Sequence, residues 1–221
     1  MRANTHIDPH RFSCVVFDLD GTLADTMDDI VSAVQKTLDH AGFPPKSKET
    51  IRENIGGGAR NLLIRCMNGS EELADAELQY FAKYYAEHAV SKTILYPFVE
   101  EVLSYYHERG YVALATAKAR AATEQILNHF GIAHYFDQVV TADDVSNPKP
   151  APDCINKIIA QSGINPNEIV LIGDTTTDMR TGKNAGISTC CVTYGYGKLE
   201  DIIALEPDFS IASLIELKNL L

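Results

Sequence analysis

Cys14-Val15-Val16-Phe17-Asp18-Leu19-Asp20-Gly21-Thr22-Leu23 is an apolar run that delivers two acids into a glycine turn. Such a run suits a strand buried on both faces of a parallel sheet, and these strands present functional groups where they end. In an extended chain the side chains of residues i and i+2 share one side, about 7 Å apart, so Asp18 and Asp20 can address one substrate. One carboxylate is placed to attack and the other to carry a proton. Asp and Gly also make ordinary turns, so the decision falls to the rest of the chain.

Three later segments bear on it. Val112-Ala113-Leu114-Ala115-Thr116 is a second apolar run, ending in a hydroxyl and followed by Ala117 and Lys118. After a third run, Val139-Val140-Thr141, comes Asn147-Pro148-Lys149-Pro150. Each proline fixes its own φ and moves its predecessor away from helix, so Lys149 is stiffly presented. Ile169-Val170-Leu171-Ile172-Gly173-Asp174 ends in an acid with Asp178 four residues on, a carboxylate pair suited to a hard cation. Singly, each has a plain alternative: Lys149 as a solvated lysine, Thr116 as a strand-end cap, Asp174 and Asp178 as acids favoured at a helix start. Together, in this order at strand ends, they read as one site.

This four-part order resembles that of the haloacid dehalogenase superfamily of phosphatases, over essentially the whole chain from Cys14 onward. The resemblance implies a doubly wound, Rossmann-like α/β fold. It also implies that Asp18 attacks phosphorus to form an aspartyl-phosphate, and that Mg²⁺ is held by Asp18, the Asp20 backbone carbonyl and Asp174, with Asp178 supporting or completing the site. The chain departs from the commonest pattern at Ala117, where asparagine is usual. If this position acts through its backbone N–H the change matters little, whereas a side-chain contact would be lost.

The chemistry is coherent on physical grounds. A phosphate monoester is an anion, and a cation bridging it to a carboxylate nucleophile removes much of their repulsion. Lys149 adds a fixed positive charge, Thr116 a hydroxyl donor, and the Gly21-Thr22 turn can bring backbone N–H groups to the transferring oxygens. Asp20 is placed to protonate the leaving alkoxide and then to deprotonate the hydrolytic water.

Composition bounds the function. The 221 residues are 45% hydrophobic, enough for one large domain and a smaller one, and carry a formal net charge of -11. With no basic run, that charge argues against nucleic acid and anionic membranes as partners. No apolar stretch has bilayer length and the start lacks a signal-peptide core, so the cytoplasm is the expected location. Five cysteines without CxxC spacing form neither a disulfide nor a zinc framework. Cys190 and Cys191 should face opposite ways in a strand. His6 and His10 have helical spacing but lie in a polar tail and are not read as a metal site.

From about Glu100, strand-like runs alternate with helices: Glu100 to Arg109 closed by Gly110, Arg120 to Phe130 closed by Gly131, and Asp153 to Ser162 closed by Gly163. Thr189 to Thr193 and Phe209 to Ile211 add strands, and a helix from Ser213 to Leu221 closes the chain. Between the first two strands, residues 25–95 show no convincing strand and read as helical. Ile30, Val34 and Leu38, then Leu62, Leu63 and Cys66, then Leu78, Phe81, Ala82 and Tyr85 recur at helical spacing. This insertion resembles the helical cap of many superfamily members. The expected organisation is an α/β catalytic core of residues 11–24 and 96–221 with a small α-helical cap domain of residues 25–95.

Within the cap, Ile55-Gly56-Gly57-Gly58-Ala59-Arg60 is the main specificity signal. Backbone N–H groups of Gly57 and Gly58 could face a ligand at a helix start and Arg60 could hold a carboxylate. A tight turn with a solvated arginine is the other reading. The segment looks like the glycine-rich cap loop of phosphoglycolate phosphatases. The expectation is therefore a Mg²⁺-dependent phosphatase of a small phosphorylated metabolite, 2-phosphoglycolate first among them, acting as a monomer or homodimer. A phosphotransferase resembling β-phosphoglucomutase, or a noncatalytic binding protein on the same fold, is the alternative. A dehalogenase is disfavoured, since it needs neither the Asp20 proton carrier nor a metal.

Overall fold

The computed structural model describes residues 12–220. The chain runs β1 (Cys14–Phe17), β2 (Ala24–Asp25), α1 (Met27–His40), α2 (Lys48–Glu53), α3 (Gly58–Cys66), α4 (Glu71–His88), β3 (Ile94–Leu95), α5 (Val99–His107), β4 (Tyr111–Ala115), α6 (Arg120–His129), β5 (Gln138–Val140), α7 (Asp153–Ser162), β6 (Ile169–Gly173), α8 (Thr176–Ala185), β7 (Ser188–Val192), α9 (Leu199–Ile203), β8 (Phe209–Ile211) and α10 (Leu217–Leu220). Among the described residues, six strands pair in the order β5-β4-β1-β6-β7-β8, all parallel. This is a doubly wound α/β sheet whose order reverses beside β1, between the neighbours β4 and β6. In such sheets the crevice at the reversal point, beyond the carboxyl ends of the strands, is where ligands bind.

The central strand is apolar throughout because both its faces are covered. Val15 and Phe17 pack with residues of α5 and α6, while Cys14 and Val16 meet Cys154, Ile155 and Ile158 of α7. The same alternation separates the adjacent thiols of β7: Cys190 joins the first cluster, and Cys191 lies with Met179 of α8 and Ile202. All five cysteines are free and buried.

The helices of the second half follow the sequence pattern, with Gly131 and Gly163 in the left-handed conformation just past α6 and α7. Gly110 differs. The cap of α5 falls at Glu108, and Gly110 is not left-handed. It is glycine because the chain passes β1 closely: a Cβ here would lie 2.8 Å from the Ser13 carbonyl oxygen. The chain closes on a short 3₁₀ turn, Leu214–Glu216, before α10, rather than one continuous helix. His6 and His10, residue 11 and Leu221 lie outside the described residues.

Helices α1 to α4 lie between β2 and β3, which the sequence did not announce as strands. They pair antiparallel, Ala24 opposite Leu95 and Asp25 opposite Ile94, so the two chain crossings run side by side. Two-residue strands carry too little periodicity to be read, which is why they escaped. Asp29 tightens this stem, its buried Oδ2 accepting from the Lys92 N–H, the Thr93 N–H and the Thr93 hydroxyl at 2.9 Å each. In α4, Phe81 and Tyr85 are buried, and both line the cleft together with Leu78 and Ala82.

Because the Gly110 approach is backbone against backbone, Gly110→Ala should destabilise the protein by about 1–3 kcal/mol. Urea denaturation measures this, and an unchanged midpoint would remove the packing explanation.

Candidate active site

The groups singled out in the sequence come together where the sheet order reverses. Asp18 continues β1 by one residue, its N–H donating to the Ile172 carbonyl at 2.9 Å. Asp174 follows β6 directly, and one carboxylate oxygen from each of Asp18, Asp174 and Asp178 lies within 4.8 Å of the others. Lys149 reaches in from the loop before α7. Its Nζ donates to Asp178 Oδ1 at 2.8 Å and to Asp18 Oδ1 at 3.2 Å. All four residues are buried.

Each acid is held by a local device. Asp178 occupies the third position of α8, where its Oδ2 accepts from the Thr175 hydroxyl (2.6 Å) and N–H (3.1 Å) in a capping box. It is thus a helix-start acid and a site residue at once, one oxygen for each task. Asp174 Oδ2 accepts from the Tyr196 N–H at 2.7 Å, and its Oδ1 from the Thr22 hydroxyl at 3.2 Å. Gly21, with φ of 79°, is required against it: a Cβ there would lie 2.1 Å from Asp174 Oδ2.

The turn after β1 uses its amides differently from the sequence expectation. The Gly21 N–H donates to the Ala24 carbonyl and the Thr22 N–H to the Leu19 carbonyl, so both are consumed inside the turn. The amide that meets the Asp18 carboxylate is that of Leu19. Thr116 stands at the end of β4 and is buried, its Oγ1 accepting from the Lys118 N–H at 3.2 Å, and Ala117 lines the cleft beside it.

Three acids facing one lysine leave an excess of buried negative charge. Burial, partly offset by Lys149 and reinforced by Asp178 and Asp20, pushes the Asp18 carboxyl up to about 7. Burial and then the charges of Asp178 and Asp18 push Asp174 well above the usual carboxylate range. For Lys149, burial opposes the charge but Asp178 and Asp18 outweigh it, holding the ammonium above an ordinary lysine. Hard oxygen donors, converging and short of positive charge, fit a divalent cation.

Asp20 sits at the half-buried rim, on the cleft side. Its Oδ1 accepts from the Thr26 hydroxyl at 2.5 Å and pairs with Lys118 Nζ at 3.0 Å. Lys118 also donates to the Tyr85 hydroxyl of α4 at 2.7 Å. Lys118 and Tyr85 were not singled out as site residues in the sequence. The available signal was a lysine two residues past a buried strand end, and for Tyr85 a helical stripe that reads as core.

In the insertion, Gly56, Gly57 and Gly58 have φ of 120°, 77° and 87°, and line the cleft. They also let the insertion approach the strand-end loops: a Cβ on Gly58 would lie 3.2 Å from the Ala117 carbonyl oxygen, and one on Gly56 3.3 Å from Thr177 Oγ1. Arg60 reaches the rim but is bound elsewhere. Its Nε donates to Asp75 at 2.6 Å, and its Nη2 to Asp75 and Glu71 at 2.9 Å each. The solvated-arginine reading describes this geometry better than a carboxylate clamp.

The raised Asp18 and Asp174 set the sign of a linkage. A carboxyl that keeps its proton to higher pH when folded stabilises the fold fully below its unfolded pKa, near 4, and that contribution is lost as pH rises through its folded value, about 7 for Asp18. A divalent cation held by the ionised acids would restore what is lost. The rise in melting temperature on adding Mg²⁺ should therefore be larger at about pH 8 than at about pH 5.5. A shift independent of pH would remove the buried acids as ligands.

Comparison with known proteins converges on one family. Residues 15–192 match the haloacid dehalogenase-like hydrolases. The chain is 34% identical over 212 residues to a phosphoglycolate phosphatase of Vibrio parahaemolyticus, covering 92% of this chain and 93% of that one. It is 32% identical over 208 residues to a phosphoglycolate phosphatase of Aquifex aeolicus, covering 94% and 95%. A crystal structure described as a predicted phosphoglycolate phosphatase from Haemophilus somnus superposes with a TM-score of 0.87 at 26% identity, over 95% of this chain and 98% of that one. With its four acids and lysine gathered at the reversal point of a doubly wound sheet, this chain belongs to the haloacid dehalogenase-like hydrolase family of enzymes.

Proposed function

We propose that this enzyme is a Mg²⁺-dependent phosphatase of small phosphate monoesters, acting through an aspartyl-phosphate, with 2-phosphoglycolate as its leading substrate. The observation that carries the reaction class is the gathering of Asp18, Lys149, Asp174 and Asp178, with Asp18, Asp20, Lys149 and Asp178 lining one cleft. The relatives named phosphoglycolate phosphatase support the substrate, since the match extends over nearly the whole of both chains.

In this reading an Asp18 carboxylate oxygen attacks phosphorus and the P–O bond to the organic group breaks. Asp20 gives its proton to the departing oxygen, leaving an alcohol and phosphorylated Asp18. Asp20 then takes a proton from water, whose oxygen attacks the phosphorus, and inorganic phosphate leaves with Asp18 restored. Lys149 and Thr116 hold the transferring oxygens at an end of the site whose carboxylates are buried. The carboxylates of Asp18 and Asp174 and the Asp20 carbonyl, supported by Asp178, would hold Mg²⁺, which would lessen repulsion between Asp18 and the phosphate.

Residues 25–95 act as a cap over a core formed by residues 11–24 and 96–221. The cap limits water at the phosphoenzyme. Among the described residues no helix is long and apolar enough to cross a membrane, and a small metabolite in the cytoplasm is the partner we assign.

Phosphate release from 2-phosphoglycolate, measured beside sugar and nucleotide monophosphates with and without Mg²⁺, tests this. Asp18→Asn should lower turnover by at least about a thousandfold, because the amide neither attacks nor binds metal well. Undiminished turnover in that variant would overturn the mechanism. Activity confined to the other esters would overturn the substrate. Arg60→Ala should change KM for 2-phosphoglycolate less than about threefold, its charge being spent on exposed partners. A large rise would return Arg60 to the specificity pocket.

A further inference from the structure

The cleft encloses about 640 Å³ between α4, the loops at the strand ends and the start of α8. Three cations line it, and they are not equally available. Lys149 is committed to Asp18 and Asp178, and Arg60 to Asp75 and Glu71 on the outer side of α4. Lys118 is the third. Its side chain is 6% exposed, and its two recorded partners, Asp20 Oδ1 and the Tyr85 hydroxyl, occupy two of the three donors of an ammonium.

We propose that Lys118 is the specificity residue of this enzyme, binding a carboxylate carried by the substrate close to its ester oxygen. The assignment rests on the phosphatase reading above and deepens it. Asp20 must lie within one hydrogen bond of the ester oxygen to protonate it, and Lys118 is 3.0 Å from that same carboxylate. The ammonium therefore falls within about 6–8 Å of the ester oxygen, two hydrogen-bond lengths plus at most the span between the two carboxylate oxygens. A carboxylate one carbon removed from that oxygen is within reach of its remaining donor. The cleft is lined in part by Ile30, Leu78 and Phe81, apolar side chains that offer a charged group nothing, and an anion leaves water for such a place only opposite a cation. Lys118 also steadies Asp20, so loss of its charge slows every ester; only the discrimination between esters reports the carboxylate.

The test is a binding comparison that needs no turnover. In the Mg²⁺-loaded enzyme, calorimetry compares 3-phosphonopropionate, which carries a carboxylate, with propylphosphonate, which does not. The wild type should prefer the former at least about tenfold, the range of a hydrogen bond to a charged group. Lys118→Met should bring that preference near one, with Lys118→Gln as the second variant should the first misfold, while Tyr85→Phe, which keeps the ammonium, should retain it. A wild type without preference, or a Lys118→Met enzyme that keeps it, overturns the proposal. Kinetics on 2-phosphoglycolate and 2-hydroxyethyl phosphate separate the two readings: a KM change confined to the carboxylated ester supports Lys118. Equal losses on both assign it to Asp20 alone and leave the phosphatase reading intact.

Discussion

Three buried carboxylates drawn around one ammonium are the constraint on which the structure turns. Left alone, Asp18, Asp174 and Asp178 would repel one another in a medium that screens poorly. Lys149, bonded to two of them, makes the cluster tolerable without neutralising it. The remainder of the imbalance appears as raised affinity for protons at Asp18 and Asp174, and the same imbalance is what makes the site receptive to a cation. A site of this kind is strained toward function: what stabilises it most is the ion or proton that chemistry brings.

Much of the surrounding fold can be understood as support for that cluster. The sheet order reverses beside β1, which sets the ends of β1, β4 and β6 around one crevice. Gly21 and Gly195 leave room for Asp174, since a Cβ on either would come within 2.2 Å of it. The capping box of α8 points Asp178 inward, and the same residue then serves helix and site. The insertion meets the core through glycines and through the Lys118–Tyr85 contact, so its position is linked to Asp20, the group expected to move a proton. Arg52 of α2 adds a second link, its Nη2 donating to the Gly195 carbonyl at 3.1 Å beside the backbone that holds Asp174.

The parts of the site that sequence reading found share one property: each stands at the end of a buried strand or in a segment with stiff local geometry. Asp18, Thr116 and Asp174 follow apolar runs, and Lys149 sits between prolines. The parts it missed, or left between two readings, depend on side-chain direction. Lys118 lies only two residues from Thr116, yet its partners Asp20 and Tyr85 are 98 and 33 positions away in sequence, and nothing local says that it turns inward. Arg60 shows the reverse case. A glycine-rich turn before an arginine suggests an anion clamp, but two acids early in the next helix claim the guanidinium first.

The sequence by itself determined the fold class, the helical insertion, the three groups that follow buried strands and the lysine between prolines, because burial periodicity and backbone restriction are local properties of neighbouring residues. Tertiary structure alone decided how the remaining charges pair. Which cation faces Asp20, which amides of the first turn are spent, and why Gly110 must lack a side chain are all matters of segments distant in the chain. Such contacts depend on distances of a few ångströms between elements, a scale at which the order of residues along the chain carries no signal.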